Sequence, residues 1–205
     1  MELCHFGENC APGIIINDIL KINTKQLFML GTYPLNNILS YLKDGNYEKI
    51  YDTDNLIIMP DKNIGHSKYD FIFNHDYTVL NSKISNYDFI VSRFNTKIKN
   101  FKEMLLSDNM CIFIVFTNNL DDLKINEVLD WLTLNKKNFH LMIFTSNKHN
   151  TVIDSKLCSI INLKNNYYNW WAMEQTPKMI LYTEIYDEFI NCLKKNNIEH
   201  NLPLK

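Results

Sequence analysis

The stretch Phe6-Gly7-Glu8-Asn9-Cys10-Ala11-Pro12 holds the cysteine best placed for chemistry. Pro12 suits the first turn of a helix, so Cys10 would stand directly before a helix start. The positive end of a helix favours the thiolate and lowers the thiol pKa. Free amides of the first turn, with Gly7 leading into them and the Asn9 side chain beside them, would receive an oxyanion. A nucleophile before such donors is what covalent acyl transfer requires. Cys10 would equally fit as a small residue under a tight turn.

A thiol nucleophile needs a base. His75 follows the apolar run Phe71-Ile72-Phe73 and is the best placed of six histidines. An imidazole takes a proton from a thiol and returns it to a leaving group near neutral pH. A strand-end histidine facing solvent is the plainer reading. A third group should orient the imidazole, and Asn36, Asp76, Asn118 and Asn119 are the candidates. Asp76 neighbours His75, and strand neighbours face opposite ways unless the strand has ended. Arg93 lies in the long helix, offset from its apolar stripe, where it would clamp a carboxylate or phosphate or form a surface ion pair. His5 reads as packed or surface, and His66, His140, His149 and His200 as loop or strand-edge residues. Trp131, Trp170 and Trp171 read as core or interface rather than pocket lining. No HExxH, Walker, GxGxxG or GxSxG pattern occurs, so neither metal nor cofactor is expected.

These residues need a scaffold. Leu3–Phe6 reads as a strand ended by Gly7, and Ile14–Leu20 as a helix. Tyr33-Pro34 breaks the chain before a short amphipathic helix carrying Leu35, Ile38, Leu39 and Leu42. Residues 45–68 are polar and turn-rich around an apolar island at 56–59. Residues 84–106 carry the best helical period: Ile84, Tyr87, Ile90, Val91, Phe94, Ile98, Phe101, Met104 and Leu105. Cys111–Phe116 and Phe139–Phe144 are continuous apolar strands, buried on both faces. Between them Ile125, Val128, Leu129 and Leu132 mark a helix. Ser159–Leu163 is a third strand, and Ile185, Phe189 and Leu193 mark a last helix. This alternation predicts one α/β domain over residues 1–205, with a mostly parallel central sheet flanked by helices. Ligands in such sheets bind beyond the carboxyl ends of the strands. That places Gly7–Cys10, His75-Asp76, Asn118-Asn119 and Thr145-Ser146 around one crevice.

The chain has 205 residues, enough to bury a core without staples. A net charge of -2 argues against a broad nucleic-acid grip. Of the 21 basic residues only Arg93 is arginine, and 29 residues are asparagine, a bias of AT-rich codons rather than of chemistry. The five cysteines are scattered without a CxxC pair, which fits neither a disulfide framework nor a zinc ribbon. Four of them fall in or beside apolar runs and read as core, in a reducing, intracellular setting. No signal core, membrane-length apolar run or myristoylation start is visible.

The series of short motifs resembles an uncharacterised family, classed as papain-like cysteine peptidases, of bacteria and large DNA viruses including poxviruses. Its members open with an apolar strand, then Gly, two residues and Cys, as in Gly7 to Cys10. A Ser-Tyr-Pro-Phe-Asp-Trp-like block corresponds to Thr32-Tyr33-Pro34-Leu35-Asn36-Asn37. A His-Asp pair after an aromatic strand matches His75-Asp76, and an Arg-Phe pair in the next helix matches Arg93-Phe94. The agreement covers roughly residues 3–145. It implies Cys10 and His75 as the catalytic pair and host cytoplasm as the location of a viral member. Asn36 stands where the family carries an acid. A papain-like fold would bring an antiparallel sheet, against the parallel one the periodicity predicts.

The expectation is a cysteine hydrolase acting on a protein or a small amide or ester. The alternative is an inactive virus-encoded interaction protein binding a host protein. Neither a nucleic-acid partner nor a membrane is expected.

Overall fold

The computed structural model describes residues 1–7, 17–18, 20, 27–28, 31–73, 76–118, 122–146, 156–166 and 173–199. The chain is α/β. Its central sheet has four parallel strands in the order β1-β7-β8-β9. These are β1 (Glu2–Gly7), β7 (Cys111–Phe116), β8 (Phe139–Thr145) and β9 (Cys158–Asn162). Each aligns with its neighbour in parallel register, Gly7 opposite Phe116 and Thr145 opposite Asn162. The expected parallel sheet is therefore present, and the antiparallel central sheet implied by the family label is not.

Every residue of β7 and β8 is buried. The reason is two-sided cover. Cys111, Phe113 and Val115 enter one core with α1 (Leu35–Asp44), α2 (Tyr87–Leu106) and α3 (Asp122–Asn135). The alternate residues Ile112, Ile114 and Phe116 enter a second core under α4 (Gln175–Lys195). Continuous apolar runs are what strands between two layers require.

The turn-rich region folds into something the sequence did not announce. Two short 3-10 helices (Tyr47–Tyr51 and Thr53–Asn55) precede a three-stranded antiparallel sheet. Its strands are β2 (Leu56–Ile58), β3 (Ile64–His66) and β4 (Phe71–Phe73). This corrects one expectation: β4 is outside the parallel sheet, so His75-Asp76 does not follow one of its strands. Only four residues join β3 to β4, too few for a parallel crossover. A two-stranded hairpin, β5 (Val79–Leu80) with β6 (Lys83–Ile84), leads into α2 and shortens it from the expected start at 84.

Thr32 bridges to Ile72 through paired backbone bonds of 2.7 and 3.0 Å. This approach requires Gly31, because a Cβ there would meet the Ile72 carbonyl oxygen at 2.5 Å. Tyr33 is then fully buried against Phe28, Phe71 and Phe73, and α1 starts after Pro34. The helix expected over 14–20 lies largely outside the described residues, of which Asn17, Asp18 and Leu20 are helical. Among the described residues no helix is long and apolar enough to cross a membrane.

Candidate functional site

α2 is the ruler of the site. At its C-terminal end, Met104 meets Cys111 at the start of β7, and Ser107 donates to the Glu2 carboxylate. The helix thus finishes at the amino edge of the sheet. Counting back from Ser107, Lys97 and Arg93 lie about 15 and 21 Å along it. The six residues of β7 span about 17 Å. The Arg93–Lys97 turn lies about three to four turns before that end.

Facing that turn is Asp76. Arg93 Nη1 stands 3.0 Å from Asp76 Oδ1, and Lys97 Nζ stands 3.8 Å from the same oxygen. The Asp76 side chain is fully buried, Lys97 is 5% exposed and Arg93 35%. Helical angles explain the difference. At about 100° per residue, Lys97 falls about 20° from Ile90, inside the buried arc, and Arg93 about 60° from it, on the rim. Lys97 lies over the Phe94 ring at 4.6 Å. Desolvation pushes its pKa down, the Asp76 charge pushes it up, and Arg93 lowers it again.

β4 has ended three residues before Asp76, so strand alternation no longer applies and the carboxylate turns inward. The turn is strapped to the helix start by Asn86. Its amide donates to the Asp76 carbonyl (3.0 Å), and its Oδ1 accepts the Thr78 amide (2.8 Å). Tyr77 packs edge-on against Phe73, which packs against Phe94.

The carboxyl edge of the sheet is polar. Asn118, just beyond β7, accepts the Ser146 amide and hydroxyl at 3.0 and 2.9 Å beyond β8. Thr117 and Thr145 are buried beside them. β1 delivers Gly7 to the same edge.

Of the residues expected at the site, Asn9, Cys10, His75 and Asn119 lie outside the described residues, as do Trp170 and Trp171. Asp76 and Arg93 are brought together. Asn36 is exposed on the first turn of α1, its carbonyl accepting Ser40. Trp131 is core. The sequence reading missed Lys97 and Tyr77. The available signal was a lysine between Phe94 and Ile98 on an apolar stripe.

The other described candidates are structural. Cys4, Cys111, Cys158 and Cys192 are buried as expected. Burial raises all four thiol pKa values, that of Cys158 to about 12. His66 and His140 are buried, not loop or edge residues. His66 donates from Nε2 to the Lys49 carbonyl and accepts the Tyr69 amide at Nδ1. His140 Nε2 lies 2.9 Å from Ser159 Oγ. His5 donates to the Phe28 carbonyl, and burial lowers its pKa to about 4. Among the described residues no group of His, Cys, Asp or Glu is arranged to hold a metal ion.

No protein-family model, curated protein or solved structure matches this chain.

Proposed function

We propose that the chain is a cysteine-dependent hydrolase of amide, ester or thioester bonds, with Cys10 as nucleophile and His75 as base and acid. The observation that carries this reading is the end of β1. Its six residues pair with β7 throughout and finish at Gly7, opposite Phe116, at the carboxyl edge. Cys10 follows three residues later. Asp76, which follows His75 in the chain, is anchored to Arg93 and Lys97. The motif series from Gly7 to Phe94 supports the same assignment.

In this mechanism His75 removes the Cys10 proton, and the thiolate attacks the substrate carbonyl. The amides near Asn9 to Ala11 hold the oxyanion. His75 returns the proton to the leaving group, and water then cleaves the acyl-cysteine. Asp76 is committed to the cations of α2. Its part is to fix the backbone beside His75, which leaves Asn36 or Asn119 to orient the imidazole.

The test is alkylation of each cysteine against pH, read by peptide mass spectrometry on the folded protein. Cys10 is expected to label well below pH 8.5, ahead of the four buried thiols, and His75→Ala to slow it. Labelling of Cys10 no faster than Cys158 or Cys192 would overturn the reading.

A further inference from the structure

His66 is the single polar side chain in the three strands of the antiparallel sheet, and it is 1% exposed. Its hydrogen bonds fix its protonation. Nε2 lies 2.8 Å from the Lys49 carbonyl, which can only accept, so Nε2 carries a proton. Nδ1 accepts the Tyr69 amide at 3.3 Å, so Nδ1 carries none. The imidazole is neutral in this geometry. A second proton, on Nδ1, would face the Tyr69 N–H, donor against donor. Burial lowers the His66 pKa from its ordinary value, in keeping with these bonds.

The two bonds join three pieces of the fold. Lys49 belongs to the first 3-10 helix, His66 to β3, and Tyr69 to the turn between β3 and β4. The Tyr69 ring stacks on the imidazole, with centroids 4.8 Å apart and planes at 28°. In the same turn Asp70 has a φ of 47°, a left-handed conformation that persists where its surroundings hold it. The neighbouring charges respond differently to acid. Lys68, Tyr69 and Lys49 donate to Asp44 at the end of α1 and hold its carboxyl well below the usual carboxylate range. Pairing with Asp44 pushes Lys68 up. Asp52 favours the charged imidazole and Lys68 opposes it. Between neutral pH and about pH 5 the change of charge in this cluster falls on His66.

We propose that His66 is an acid-sensitive latch. Neutral, it ties the β3–β4 turn to the first 3-10 helix; protonated, it gives up the Tyr69 amide and the turn opens. An opened turn, with the ring in water, takes up the proton near pH 6.5, before the closed one does. The closed form therefore loses stability as pH falls from about 6.5 to the closed-state value, and no further below it. The latch is independent of the roles of Cys10 and His75.

The experiment is an NMR titration of the full chain from pH 7.5 to 4.5, following the His66 ring carbons and hydrogen exchange at the Tyr69 amide. His66 is expected to titrate below 6.5. The protection factor of the Tyr69 amide should fall by about tenfold between pH 7 and 5, in step with the ring. His66→Gln supplies a neutral donor and acceptor and should abolish that fall, while His140→Gln, in the parallel sheet, should preserve it. If His66→Gln does not fold, the titration of the unsubstituted chain decides. A His66 pKa of 6.5 or above, a fall in protection of less than about threefold, or a fall that persists in His66→Gln would overturn the latch.

Discussion

Two lysines are buried around α2, and their surroundings differ. Lys136, between α3 and β8, is 2% exposed and reaches the helix C-terminus. It donates to the carbonyls of Met104 (2.8 Å) and Ser107 and to the Ser107 hydroxyl (3.0 Å). A cation among the last carbonyls of a helix also opposes the negative end of its dipole. Lys97, two to three turns earlier on the same helix, has one carboxylate oxygen at 3.8 Å and no hydrogen bond among the described residues. The first ammonium is fully used by the fold. The second is held in place by the fold but not used up by it.

The largest expected effect comes from breaking the satisfied site. Lys136→Met leaves two helix-end carbonyls without their charged donor and should cost about 3 kcal/mol. For a chain of this size that lowers Tm by about 6–12 °C, checked by thermal denaturation. A loss under about 1 kcal/mol would mean that Lys136 is not the anchor its bonds indicate.

Asp76→Asn should cost less, about 2 kcal/mol at pH 7, because it leaves two cations without their counter-charge, one of them partly in water. The deficit should depend on pH. Burial and Arg93 already lower the folded-state pKa of Lys97, and removing Asp76 lowers it further. The unfolded chain, with a lysine pKa of about 10.4, then binds more protons than the folded one. Stability of the variant therefore rises with pH towards that value. Denaturant melts at pH 7 and pH 10 should show the gap to the unsubstituted chain narrowing; a constant gap would place Asp76's contribution outside the Lys97 charge.

The smallest effect is expected at Lys97→Met. A thioether of similar length removes an unbonded ammonium, and Arg93 still holds Asp76, so stability should stay within about 1 kcal/mol. Equal losses from Lys97→Met and Lys136→Met in the same denaturant titration would erase the distinction between the two sites.

The parts of the fold legible beforehand share one property: each is set by a local pattern long enough to be unambiguous. β7 is a six-residue apolar run, β8 is apolar but for His140 and Thr145, α2 holds a helical period for some twenty residues, and Ile185, Phe189 and Leu193 mark α4. Their alternation leaves a parallel sheet as the simple solution. The antiparallel sheet was not legible, because its strands have three residues each and β2 exposes Ile57 and Ile58. Too few residues remain to show a period.

The site divides the same way. Residue type and position marked Arg93 and Asp76 singly. That they meet was decided by the turn after β4 and the β5–β6 hairpin returning the chain to α2. The burial of His66 and His140 likewise depended on which strands became interior, a property of neighbours distant in sequence. The sequence by itself determined the elements, their order and the helix face on which Lys97 lies, because helical and strand periods are local. Only the tertiary structure decided that Lys97 shares its carboxylate with Arg93 while Lys136 has bonds of its own. The satisfaction of a buried charge depends on partners that chain neighbours do not supply.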